Sequence, residues 1–163
     1  MSVRTYQFYP SWDGKKTQPI TLKFIELMSR RWATTSLGAY VNRPMRSGKS
    51  LSVHATGFAC DQKYKDEAQA KIIFEWFLGS SVIDGVKVEH SERLGLQELH
   101  WYSKPGTTHG VGYRCSRGEG MKGVKVYTAT DNAGPGNGWL HFELSKDMTA
   151  EAFETAWRSL PKP

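Results

Sequence analysis

Three segments of the chain repeat apolar residues at helical spacing, and several between residues 82 and 144 alternate them at strand spacing. Thr21 to Trp32 sets Leu22, Phe24, Ile25, Leu27 and Met28 against Lys23, Glu26, Arg30 and Arg31. This predicts an amphipathic helix whose two arginines sit at the end where the helix dipole favours cations. Asp66 to Leu78 predicts a second helix, with Ala68, Ile72, Phe74, Trp76 and Phe77 as its apolar surface and Gly79 as its stop. Thr149 caps a third over Ala150 to Leu160, whose buried stripe is Phe153, Ala156, Trp157 and Leu160. Val82 to Tyr102 reads as two strands joined near Ser91-Glu92-Arg93, and Val124 to Tyr127 as a short strand. In Trp139 to Leu144, apolar Leu140, Phe142 and Leu144 alternate with His141 and Glu143, so this strand has one packed and one open face. Residues 1 to 20, broken by Pro10, Gly14 and Pro19, predict an extended arm with little regular structure. Gly-rich Lys104 to Gly123 predicts a loop, and Asp131 to Gly138 a turn. The sum is an α+β fold in a single domain over 1–163: an antiparallel sheet with helices packed on one side.

Composition adds a sign and several exclusions. The 22 basic residues exceed the 16 acidic ones, a formal charge of +6, which favours anionic partners such as nucleic acid or an anionic cell wall. No groove-reading motif accompanies the charge, so nucleic acid is not the expected partner. Two cysteines make no disulfide framework, and without a C-x-x-C pair a thiolate zinc site is not expected. Cys60 reads as a small buried apolar residue. No apolar run approaches the ~20 residues of a membrane span. Ser47-Gly48-Lys49-Ser50 looks like the end of a phosphate loop, but position 43 is Arg where that loop needs Gly.

The candidate chemistry lies in Ser52-Val53-His54-Ala55-Thr56-Gly57-Phe58-Ala59-Cys60-Asp61. Here an imidazole and a carboxylate stand seven residues apart with a glycine between them. Seven extended residues span roughly 23 Å, so the chain must fold back for both to meet one ion, and Gly57 can take the positive φ such a bend needs. His and Asp are suitable zinc ligands, and a catalytic zinc takes three. The third is expected from His141, on the open face of its strand beside Glu143. His90 and His100 are further possible ligands, but neither stands in a metal-ligand spacing, and a lone His is more often a surface or hydrogen-bonded residue.

Ser52, His54, Gly57, Ala59 and Asp61 match the S-x-H-x-x-G-x-A-x-D signature of the D-alanyl-D-alanine metallopeptidases, a group that also holds the lysostaphin-type peptidases and the hedgehog domain. Tyr40 to Pro44 and the late strand ending in His141 also resemble that family, so the likeness covers roughly residues 36 to 145. The resemblance implies a hedgehog-like fold carrying Zn2+ on His54, Asp61 and His141, and cleavage of peptide bonds in bacterial peptidoglycan. It also implies an oxyanion- or carboxylate-binding role for Arg43. The family's usual general base, a Glu three residues before the last zinc His or a His two before it, is replaced by Gly138 and Trp139. Glu98, near a Gln-Glu pair typical of the family, is the preferred substitute, ahead of Glu143 and Asp131. Met1 to Tyr6 contain no apolar signal region. The expectation is therefore a protein made in the host cytoplasm that acts at the cell wall or within a phage virion, as an endolysin or virion-associated peptidase in contact with other virion proteins. The alternative is a binding or virion structural protein that keeps the metal fold without catalysis.

Overall fold

A computed structural model describes residues 3–46, 48–131 and 136–163. Met1, Ser2, Ser47 and residues 132–135 of the expected Asp131 to Gly138 turn lie outside the described residues. The elements run α1 (Pro19–Trp32), β1 (Thr35–Gly38), β2 (Ala59–Lys63), α2 (Glu67–Phe77), β3 (Ser80–Ile83), β4 (Val86–Glu89), α3 (His90–Arg93), β5 (Leu96–Trp101), β6 (Val111–Arg114), β7 (Val124–Val126), β8 (Trp139–Leu144) and α4 (Ala150–Ser159). Six strands form one antiparallel sheet in the order β1-β2-β8-β5-β6-β7, and β3 and β4 form a separate hairpin. The architecture is α+β, as the hydrophobic pattern predicts.

One face of the sheet supplies Cys60, Leu99, Trp101, Leu140, Phe142 and Leu144 to a core closed by α1, α2 and α4. Phe142 sits at its centre, 4.8 Å from the ring of Phe24 and 5.0 Å from that of Phe77. Phe142→Ala should lower stability by about 3–5 kcal/mol, the usual cost of an aromatic cavity in a core. Thermal unfolding followed by circular dichroism should show a Tm drop of roughly 10 °C; a drop within error of wild type would contradict this packing.

The structure corrects several details. α1 begins at Pro19, where a proline at the first helical position loses no hydrogen bond. Its inner face is Ile20, Thr21, Phe24, Leu27, Met28 and Trp32, while Leu22 is exposed. In α2, Ile72 and Ala68 face outward and Ala70 and Ile73 face in. Val82 to Tyr102 is not two strands but the β3–β4 hairpin, the short helix α3 and β5. Asp84 and Gly85 both adopt positive φ, which is the turn that joins right-twisted hairpin strands. The Lys104 to Gly123 loop contains β6, whose four residues are held by β5 on one side and β7 on the other. The arm has no regular element before Pro19, yet it is anchored. Phe8 is 1% exposed, and Arg4 is bonded to the carboxylate of Glu119 and the carbonyl of Leu96.

Candidate metal centre

Each position of the 52–61 stretch has a local reason. The Ser52 hydroxyl accepts from the His54 N–H and caps a single 3-10 turn, Val53–Thr56. Gly57 ends that turn at φ 78°, and its N–H donates to the His54 carbonyl. A Cβ there would also collide with the Lys16 carbonyl of the arm, so both φ and space demand glycine. The chain then enters β2, where Ala59 is fully buried and Asp61 lies two residues on, on the same face. The reversal expected at Gly57 is thus what returns Asp61 to His54.

Sheet register completes the site. Asp61 on β2 pairs with His141 on β8, and His141 pairs with His100 on β5, giving one row across three strands. The adjacent row is Ala59, Glu143, Glu98 and Arg114. β5 carries a bulge at Gln97, between the Leu96–Leu144 and Glu98–Glu143 pairs. The extra residue lets Leu96, Leu99 and Trp101 all reach the core while Glu98 and His100 point to the opposite face.

His54, Asp61 and His141 bring one donor atom each within 4.8 Å of one another. His54 Nε2 is 3.5 Å from Asp61 Oδ2, and His141 Nδ1 is 2.9 Å from Asp61 Oδ1. Tetrahedral ligands at zinc bond lengths stand roughly 3.4 Å apart, so the donor set fits zinc with little movement. The second nitrogen of each imidazole is already engaged. His54 Nδ1 lies 2.7 Å from the Ala39 carbonyl, and His141 Nε2 lies 3.0 Å from Glu143 Oε1. Such outer partners fix the tautomer and aim the remaining lone pair at an ion. Glu143 is itself held by the Tyr6 hydroxyl at 2.7 Å.

Burial pushes the Asp61 carboxyl up, but His141 and His54 outweigh it and hold it well below the usual carboxylate range. Burial lowers His141, yet hydrogen bonds to Asp61 and Glu143 prevail and raise it to about 10. A cation at Nδ1 must displace the proton held there. Because that pKa is raised, the proton competes at every pH below it, and more strongly as pH falls. Zinc affinity should therefore weaken about tenfold per pH unit on acidification across roughly pH 9 to 6. Competition with a chromophoric chelator at several pH values reads this directly, and a flat profile would count against it.

A second group, Glu98, His100 and Glu143, lies beside the first. Glu98 is 3% exposed; one oxygen meets the Arg114 guanidinium and the other lies 2.7 Å from His100 Nε2. Burial raises the Glu98 carboxyl, but His100 and Arg114 more than reverse this and keep it ionised. His100 Nδ1 lies 3.1 Å from the Tyr127 hydroxyl. Tyr127 reaches it by crossing Gly112, where a Cβ would stand 1.6 Å from that hydroxyl. The cleft over both groups holds about 270 Å³, with Tyr6 and Tyr9 of the arm and Arg43 of an exposed loop along its walls.

The structure brings His54, Asp61 and His141 together, places Glu98 one row away, and puts Arg43 on the rim, donating to the Pro44 carbonyl. His141 and Glu143 do share a face, but it is not open: the arm and cleft leave them 8% and 3% exposed. Asp131 is clasped by Lys125 and Thr128 and is not among the residues lining the cleft. His90 is hydrogen-bonded, to the Trp76 carbonyl and Ser81, as its isolated spacing suggests. His100 is not a bystander; its signal was the Glu98/His100 alternation against Leu99/Trp101. Arg114, Tyr127 and Tyr6 gave no sequence signal, since each reaches the site from a distant segment. No helix among the described residues is long and apolar enough to cross a membrane. Comparison with protein-family models, with curated proteins and with solved structures finds no match for the chain.

Proposed function

We propose that this chain is a zinc-dependent peptidase that cleaves peptide bonds in bacterial peptidoglycan stem peptides and is encoded by a phage. The single observation that carries the metal reading is the convergence of three donors whose histidines have their other nitrogens committed to Ala39 and Glu143. The substrate class rests on the resemblance of Ser52, His54, Gly57, Ala59 and Asp61 to the D-alanyl-D-alanine metallopeptidase signature. When bound, zinc supplies a Lewis acid that polarises a carbonyl and lowers the pKa of a water to about 7.

The chain's own residues do the rest. Glu143 orients His141, and Tyr6 orients Glu143. The Glu98–His100 pair serves as the proton acceptor in place of the missing Glu at Gly138: the imidazole ring lies 5.2 Å from that of His141, and its Nε2 lies 2.7 Å from the Glu98 carboxylate. Arg114 keeps Glu98 ionised. Arg43, on the rim, is suited to hold a substrate carboxylate or a developing oxyanion.

The test is to incubate the purified protein with walls from several bacteria, with and without a chelator, and identify fragments by mass spectrometry. Zinc-dependent release of stem-peptide fragments is expected. Bound zinc without any cleavage would favour the second reading, a wall-binding or virion structural protein, which the Gly at position 138 supports.

A further inference from the structure

Away from the cleft, the C-terminal ends of α1 and α4 frame a recess of about 550 Å³ lined by Leu27, Arg30, Arg31, Trp157, Arg158 and Lys162, among others. Arg31 forms its inner wall. Its guanidinium lies 4.1 Å from the ring of Trp157, 4.6 Å from Trp76 and 5.5 Å from Trp32. The three indoles cover its π-face, and Nη1 is enclosed with no hydrogen-bond partner among the described residues, while the rest of the half-buried side chain lines the recess. Burial alone lowers the Arg31 pKa, with no carboxylate to oppose it.

The surrounding charge is lopsided. Glu26 is shared by Lys23 and Arg30, and Glu154 by Lys23 and Arg158. Arg31 and Lys162 have no carboxylate among the described residues. Cations at helix C-termini often only complement the dipole. Arg31 differs, because among the described residues it donates to no terminal carbonyl and is fixed by aromatic packing instead. A guanidinium nitrogen withdrawn from water without a hydrogen-bond partner is costly, and cation–π contact offsets only part of that cost.

We propose that this recess is an oxyanion site that takes a phosphate group, with Arg31 as its fixed donor and Lys162 as its mobile one. A phosphate brings three acceptor oxygens and the missing negative charge, and guanidinium edges match it well. The same group can arrive as free phosphate or within a polyol-phosphate polymer. The site does not depend on the metal centre.

Calorimetric titration with inorganic phosphate, against chloride at matched ionic strength, tests it. A second titration with glycerol-phosphate polymer distinguishes the source. Saturable binding by one or both ligands is expected, weakened about tenfold in Arg31→Gln and a few-fold in Lys162→Gln. The Arg31 Nε–H resonance should shift on titration while zinc content stays constant. If Arg31→Gln does not fold, Arg31→Lys replaces it, keeping charge while losing the planar fork, and should also weaken binding. Phosphate and polymer responses no greater than chloride, or wild-type affinity in the Arg31 and Lys162 variants, overturn the proposal.

Discussion

His141→Ala is expected to abolish zinc binding and, with it, all wall cleavage. The ring sits between Asp61 and Glu143 at 2.9 and 3.0 Å and supplies one of the three donors that converge there among the described residues. Losing an outer partner of a metal ligand typically costs 10–100-fold in affinity; losing the ligand itself should cost at least about 10³-fold. Glu143→Gln provides the graded comparison. It leaves all three donors but weakens the group that aims His141, so its loss should fall in the 10–100-fold range. Elemental analysis of protein purified without added metal should give one zinc per wild-type chain and none in His141→Ala, with circular dichroism confirming that the variant is folded. Stoichiometric zinc in folded His141→Ala would remove His141 from the ligand set.

Glu98→Gln should cut turnover by about 10²–10⁴-fold, the range for a positioned acid–base group, while zinc content stays unchanged. The substitution preserves shape but removes the charge that faces both His100 and Arg114. His100→Ala should give a loss of similar size. If the two act as one unit, the double variant should be little worse than either single one. Asp131→Asn is the control and should be near wild type, because Asp131 is tied to Lys125 on a surface turn. Single-turnover assays on purified wall fragments measure all four. Near-wild-type turnover in Glu98→Gln would defeat this assignment of the proton acceptor.

The sequence alone carried the helices and the late strand well, because their information is local. Thr149 caps a helix with Phe153, Ala156 and Trp157 at buried spacing, and the period of two in Trp139 to Leu144 matches β8 residue for residue. The ten residues from Ser52 to Asp61 likewise hold their own cap, turn and strand entry, which is why two of the three donors were visible together. Periodicity failed where pairing, not local preference, makes the strand. β6 is four residues in a Gly-rich stretch and exists through β5 and β7. The bulge at Gln97 breaks the phase between Leu96 and Leu99, so the apolar residues of β5 follow no single period of two along the whole strand.

What the chain by itself determined is most of the helices, the late strand, and His54, Asp61 and His141 as candidate donors. What only the tertiary structure decided is which distant residues complete them. The strand order β2-β8-β5 brings Asp61, His141 and His100 into one row although up to 80 residues separate them, as between Asp61 and His141. The arm then lays Tyr6 over Glu143, and β6 lays Arg114 against Glu98. The physical reason is that hydrogen-bond register and core burial fix a strand's neighbours. Neither leaves a mark in the spacing of the residues that meet.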